Sequence, residues 1–226
     1  KSEEVFYIPG KPTEVVSDST IISEITPYKI KLDEIMNEVI SVSDHFMEKG
    51  QPESILGNFV SDVCFFKAND IRAIHKMEPV DFCVLNNGGL RSSLPAGKIT
   101  LKNVYELMPF ENELVVVKLR GSTVEKLLDY IAAKGGVPDS NLKMKITGTT
   151  FSEVFVGDKK FNSESSYLVL TSDYLATGGD AMTMFEESLS SEATGVKVRD
   201  AIIEFMKSKQ QKGEILNAVT DGRISR

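Results

Sequence analysis

The sequence predicts an α+β fold with α/β character, in which mixed β-sheets are sandwiched between helical layers. Three observations carry this. Helical and strand patterns are interspersed along the chain instead of being segregated. Short runs rich in β-formers, at 80–85 and 167–171, end in glycine-containing loops. Hairpin signals, such as Gly157-Asp158, occur among the crossovers, so the sheets are expected to be mixed.

The elements follow in order. Residues 1–24 carry Pro9, Gly10 and Pro12 among scattered Ser and Thr, and are expected to form an irregular or strand-like arm. Residues 25 to about 38 set Ile30, Leu32, Ile35, Met36 and Val39 at mixed three- and four-residue spacings, which predicts a helix with one buried face. Residues 39–43 either continue that helix or form a short strand. Ser54 is placed to start a second helix, through Gly57, Asn58, Val60 and Val63 to about Lys67. The apolar run 80–85 reads as a buried strand that enters the loop Asn86-Asn87-Gly88-Gly89. Thr100 is a candidate N-cap for a helix that Pro109 ends. After the β-branched strand 114–119 comes the clearest helix. Ser122 with Glu125 fits a capping box, Val124, Leu127, Leu128 and Ile131 supply the buried face, and Gly135-Gly136 stops it. Residues 144–146 and 151–156 read as paired strands, and 167–171 as another buried strand. A last amphipathic helix, about 196–206, uses Val198, Ile202, Phe205 and Met206, with Lys207 to Lys212 as a wet end. No repeat or low-complexity linker interrupts the chain, so one domain over 25–226 is expected.

Composition bounds the chemistry. The 226 residues are 41% hydrophobic and 26% charged, the balance of a globular domain able to bury its own core. Apolar runs are far shorter than the ~20 residues a bilayer helix needs, so no transmembrane segment is expected. Lys plus Arg number 26 against 33 Asp plus Glu, and a net charge of −7 repels a phosphate backbone, so no nucleic-acid polymer is expected as a partner. His45 and His75 lie far apart, with no H-x-H, H-x-x-x-H or C-x-x-C around them; no all-protein transition-metal site is expected. The chain opens at Lys1 without an apolar signal segment and is read as a mature or trimmed form. Both histidines are expected in solvent. Cys64 and Cys83 have apolar neighbours, which favours two buried free thiols.

Three loops could carry chemistry. In Asn86-Asn87-Gly88-Gly89-Leu90-Arg91 the glycines allow close backbone approach, while Asn86 and Arg91 offer an amide edge and a planar cation suited to phosphate or sugar oxygens. In Tyr174-Leu175-Ala176-Thr177-Gly178-Gly179-Asp180 an aromatic face stands beside a carboxylate, the combination a base and ribose hydroxyls require. Pro109-Phe110-Glu111-Asn112 puts an aromatic at a helix-to-strand connection. Taken singly, each reads more simply as a structural turn or a core plug.

Their order and spacing change that reading. Glu53-Ser54-x-x-Gly57-Asn58, Leu85-Asn86-x-Gly88-Gly89-x-Arg91-Ser92, Gly97-x-Ile99-Thr100 with Leu107-x-Pro109-Phe110, Leu119-x-Gly121-Ser122 and Tyr174-Leu175-Ala176-x-Gly178-Gly179-Asp180 follow one another from about 51 to 185. This series, with Asp221-Gly222-Arg223-Ile224 as a closing segment, resembles the C-terminal domain of the 5'-nucleotidase family, which includes UDP-sugar hydrolases and 2',3'-cyclic phosphodiesterases.

The resemblance implies a domain that binds a nucleotide or nucleoside. Hydrolysis would fall to a separate metallophosphoesterase domain or protein holding two divalent metals, with no cofactor and no catalytic residue in this chain. Phe110 and Tyr174 would sandwich the base; the second position is commonly Phe in the family, and Tyr keeps the stacking face. Asp180 would accept from the ribose hydroxyls, Arg91 would hold phosphate or ribose oxygens, and Asn86 would meet the base or sugar edge. Gly88, Gly89, Gly178 and Gly179 would shape the loops, whereas Gly57 and Asn58 would serve packing and capping. The family also implies an extracytoplasmic location, which raises the alternative of a Cys64–Cys83 disulfide. One departure is that family members usually place arginines shortly before the Glu-Ser-x-x-Gly-Asn element, where this chain has Lys49-Gly50-Gln51-Pro52. Either phosphate affinity would be weaker, or Lys49 would substitute as a point charge without the bidentate fork. The alternative function is accordingly a non-catalytic binding or scaffold module that keeps the fold without nucleotide recognition. A self-sufficient hydrolase built on Asp180 and Arg91 ranks last, because it lacks the charge neutralisation that metals supply.

Overall fold

A computed structural model describes residues 19–226. Backbone contacts divide the chain into two units between Met36 and Asn37. In the first, helix α1 (Ser19–Met36) runs through Pro27. It begins inside the stretch expected to be an arm, of which 1–18 lies outside the described residues. The buried face predicted for this helix is not buried: Ile30, Leu32 and Ile35 are all about half exposed.

In the second unit, β1 (Val39–Ser43) is a strand and not a continuation of the helix before it. Helix α2 (Ile55–Ile74) starts at Ser54, whose hydroxyl accepts from the Gly57 amide at 3.0 Å. It continues seven residues beyond the expected end at Lys67, because Ala68 and Arg72 prolong the buried stripe and no glycine or proline intervenes. Then come β2 (Phe82–Val84), β3 (Gly97–Thr100) and α3 (Leu101–Leu107). Thr100 caps α3 through a reciprocal box with Asn103. Strand β4 (Glu113–Arg120) leads directly into α4 (Gly121–Lys134). The predicted Ser122–Glu125 capping box does not form. The helix starts earlier, with Arg120 at the N-cap and no side-chain cap, because the Gly121 amide bonds to Ser165 and the backbone at 162–163 lies against its Cα. Gly135 stops α4 in the left-handed conformation, as expected.

Strands β5 (Asp139–Ser140), β6 (Leu142–Thr147), β7 (Thr150–Val156), β8 (Lys159–Lys160) and β9 (Ser166–Ser172) follow, and β9 feeds the single turn α5 (Asp173–Ala176). Strand β10 (Ser190–Lys197) runs into α6 (Val198–Gln211), which extends five residues past the predicted end, and β11 (Ile224–Ser225) comes last.

The sheets are mixed. Five strands lie in the order β10-β4-β9-β2-β5, four in the order β11-β6-β7-β8, and β1 pairs with β3. In the five-stranded sheet β2 is parallel to β9, and β4 and β10 are antiparallel neighbours. Alternate residues Phe82, Val84, Val115, Val117, Leu119, Tyr167 and Val169 face α4 and the apolar side of the four-stranded sheet, forming one core. Helix α2 contacts β2 and β5 and packs on α6. Beside β5, buried Arg223 binds both oxygens of Asp62 on α2 at 2.7 and 3.0 Å, Asp221 at 2.8 Å and the Asp139 carbonyl at 2.6 Å.

Candidate nucleotide-binding cleft

Topology brings the three loops together. Because β2 and β9 are parallel neighbours, with Phe82 opposite Val169 and Cys83 opposite Leu170, the loops that leave their C-terminal ends emerge side by side. Strand β4 is antiparallel to β9 with Leu114 opposite Ser172, so residues 110–112 reach the same end of the sheet. A cleft of about 370 Å³ opens there, lined by Asn86, Gly88, Gly89, Arg91, Phe110, Asn112, Tyr174 and Asp180.

Each side chain has a local reason for its place. Asn87–Gly89 is a 3₁₀ turn, and the Asn86 amide folds back over it: a Cβ on Gly88 or Gly89 would stand 3.1 or 3.0 Å from that amide. Asn86 Nδ2 donates to Asp180 Oδ2 at 2.8 Å, joining two loops distant in sequence. The Arg91 amide donates to Leu107 O at 2.8 Å, and its guanidinium carbon lies 5.9 Å from the centre of the Phe110 ring. Phe110 and Tyr174 are 41% and 47% exposed, so neither is the core plug that a lone aromatic would suggest.

The second loop is held as firmly. Ser172 caps α5 by accepting from the Leu175 amide at 3.3 Å, and Gly178 turns the chain at φ 82°. Gly179 lies against Tyr174, where a Cβ would fall 2.4 Å from the Tyr174 carbonyl oxygen and 2.7 Å from two ring carbons. Gly178 and Gly179 thus shape the loop from behind, while the other predicted residues face the cleft.

Three contributors went unpredicted. Asn112 lines the cleft. Tyr130, half-buried on α4, donates its hydroxyl to Asp180 O at 2.6 Å. Burial, then the neighbouring Asp180 and Tyr174, push its phenol up and keep it a protonated donor. Arg199, buried on α6, lies 4.4 Å over Tyr105 and donates to Met108 O at 3.2 Å and Phe110 O at 3.3 Å, fixing the segment that carries Phe110. It also pairs with Glu111, whose carboxyl Lys197 and Arg199 together hold down to about 2. The signal for Arg199 was absent from the loop motifs because it comes from a helix far along the chain.

Asn58 donates to Glu53 Oε1 at 2.6 Å and Val219 O at 3.0 Å, and Gly57 sits in the Ser54 cap, away from the cleft. The Lys49 ammonium donates to Leu90 O at 3.0 Å, next to Arg91 of the first loop. His75 is exposed, but His45 is half-buried, with Nε2 2.6 Å from Ala218 O and Nδ1 paired with Asp44. Cys64 and Cys83 are both buried and free. Among the described residues no three His, Cys, Asp or Glu side chains converge as a metal cradle. No described helix is long and apolar enough to cross a membrane.

The profile of the family described as 5'-nucleotidase, C-terminal domain, matches residues 38–187. The chain is 27% identical over 223 residues to the trifunctional nucleotide phosphoesterase protein YfkN of Bacillus subtilis, spanning 89% of this chain and 15% of that protein. It is 28% identical to protein UshA of Yersinia enterocolitica, spanning 95% of this chain and 40% of the relative. A 5'-nucleotidase precursor from Thermus thermophilus superposes with a TM-score of 0.75 at 24% identity, over 92% of this chain and 43% of that one, which establishes the fold. The chain spans less than half the length of each of these proteins. It belongs to the 5'-nucleotidase C-terminal domain family.

Proposed function

We propose that this chain is the substrate-recognition part of a 5'-nucleotidase-type hydrolase, binding a nucleotide or nucleoside in the cleft at the end of the five-stranded sheet. Phe110 and Tyr174 take the base between them, Asp180 accepts from the ribose hydroxyls, Arg91 neutralises phosphate or ribose oxygens, and Asn86 meets the base or sugar edge. The observation that carries this reading is the shared cleft: two half-exposed aromatics, a carboxylate, an amide and a guanidinium from three separate loops line it. Phosphate-ester hydrolysis then belongs to a metallophosphoesterase domain or protein carrying two divalent metals, in an extracytoplasmic setting. The partial coverage of longer relatives supports that division.

Calorimetric titration of the chain with AMP, adenosine and UMP tests it. Stacking contributes about 1–3 kcal/mol per base, so Phe110→Ala should weaken all three alike, by roughly five- to 150-fold. No binding at millimolar ligand overturns the reading. A second reading, a scaffold module without nucleotide recognition, is favoured by Lys49, whose ammonium is engaged by Leu90 O where relatives are expected to offer arginine. Mixing with a co-expressed metallophosphoesterase domain separates them: restored turnover supports the first, a stable inactive complex the second.

A further inference from the structure

Asp180 stands at φ 57° and ψ 24°, and Ala181 after it at φ 63°. Two successive left-handed residues without a glycine are costly, and such backbone persists only where its surroundings hold it. The restraints come from two phenols on different elements. Tyr130, on α4, donates its hydroxyl to the Asp180 carbonyl at 2.6 Å. From the other side, the Asp180 amide donates to the Tyr174 hydroxyl oxygen at 3.1 Å. Both main-chain polar groups of Asp180 are therefore fixed by tyrosine, while Asn86 occupies part of the carboxylate and leaves acceptor capacity for a ligand. Tyr174 is itself packed against the Gly179 backbone, so the ring that lines the cleft and the hydroxyl that holds Asp180 form one rigid piece.

We propose that Tyr174 and Tyr130 are positioning residues whose hydroxyls hold Asp180 in the left-handed conformation from which its carboxylate grips a cis-diol. The preference of the cleft for ribose over diol-free sugars is then set by these two phenols. This rests on the nucleoside reading given above and adds to it a source of sugar selectivity. Without the hydroxyls Asp180 relaxes toward ordinary backbone conformations. A ligand that uses its carboxylate loses affinity, whereas a ligand without hydroxyls at the 2' and 3' positions has nothing to lose.

The test compares adenosine with 2',3'-dideoxyadenosine on the intact chain. Wild type, Tyr174→Phe, Tyr130→Phe and Asp180→Asn are titrated by calorimetry, with near-ultraviolet circular dichroism and melting curves to verify folding. Each Phe keeps the ring and removes one neutral hydrogen bond, so each should weaken adenosine about threefold to tenfold; Tyr130→Phe, outside the cleft lining, should leave dideoxyadenosine within about twofold, and Tyr174→Phe should weaken adenosine more than dideoxyadenosine. Asp180→Asn should bring adenosine down to the dideoxy level. If both Phe variants weaken the two nucleosides equally, or leave both unchanged, the positioning role is overturned while the cleft assignment stands. If wild type binds neither nucleoside, the cleft assignment itself fails and the proposal with it. Because the two tyrosines reach Asp180 from separate elements, misfolding of one variant still leaves the other to decide.

Discussion

Replacing Gly179 by alanine puts a methyl group where the structure has no room. Its Cβ would lie 2.4 Å from the Tyr174 carbonyl oxygen and 2.7 Å from ring atoms Cε1 and Cζ of the same residue. The carbonyl cannot step aside, since it belongs to α5 and accepts from the Thr177 hydroxyl at 3.1 Å; the ring can move only by leaving the position from which it lines the cleft. Overpacking of this kind costs about 1–3 kcal/mol, and in a chain of this size each kcal/mol lowers the melting temperature by roughly 2–4 °C. A displaced ring also forfeits stacking, so adenosine affinity should fall about fivefold or more. The control is Gly148→Ala, at φ 64° with nothing within 4 Å of the added Cβ. It should cost about 1 kcal/mol for the backbone conformation and leave affinity untouched. Thermal unfolding followed by circular dichroism, together with adenosine calorimetry, reads both quantities. Wild-type melting and affinity in Gly179→Ala would refute the steric argument.

Two further predictions concern the supports of the site and the core. Arg199→Lys removes the fork that joins Met108, Phe110 and Glu111; it should destabilise the chain by about 1–3 kcal/mol in urea and weaken adenosine binding, and an unchanged titration would detach Phe110 from Arg199. Burial pushes the Cys64 thiol up to about 12 and the Cys83 thiol well above its ordinary value of 9.0. The native pKa values are raised, so the thiols contribute stability that is complete below about pH 9 and is lost as the pH rises past it, because the unfolded chain ionises first. Melting between about pH 8 and 11 should fall more steeply in wild type than in a Cys64→Ala, Cys83→Ala chain, and native thiols should resist a disulfide reagent until unfolding.

What sequence could show here was chemistry; what it could not show was convergence. The Asn-Gly-Gly and Gly-Gly-Asp loops were visible because glycine pairs after a strand are local signals. That they meet depends on the parallel pairing of β2 with β9, which a single sequence does not encode in any short window. Tyr130 escaped notice because it stands off the buried stripe of α4 and reaches Asp180 with only its tip. Strand β10 was missed because Ser190 to Ala193 are exposed and carry no apolar alternation, the mark of an edge strand. The apolar spacing of α1 was read correctly as helical, yet periodicity says nothing about burial, and Ile30, Leu32 and Ile35 are about half exposed.

The tail at Arg223 has a consequence for synthesis. Strand β6 receives β11 as a parallel neighbour, Met144 beside Ile224, and Asp62 receives its counter-charge from Arg223. On a ribosome adding about 5–20 residues per second, several seconds therefore pass in which helix α2 and the hairpin of β6 and β7 exist without either. During that interval the nascent chain shows an open hydrogen-bonding rim and an unmatched acid, so chaperone capture or mispairing with a neighbouring nascent chain competes most strongly before residue 225 leaves the tunnel.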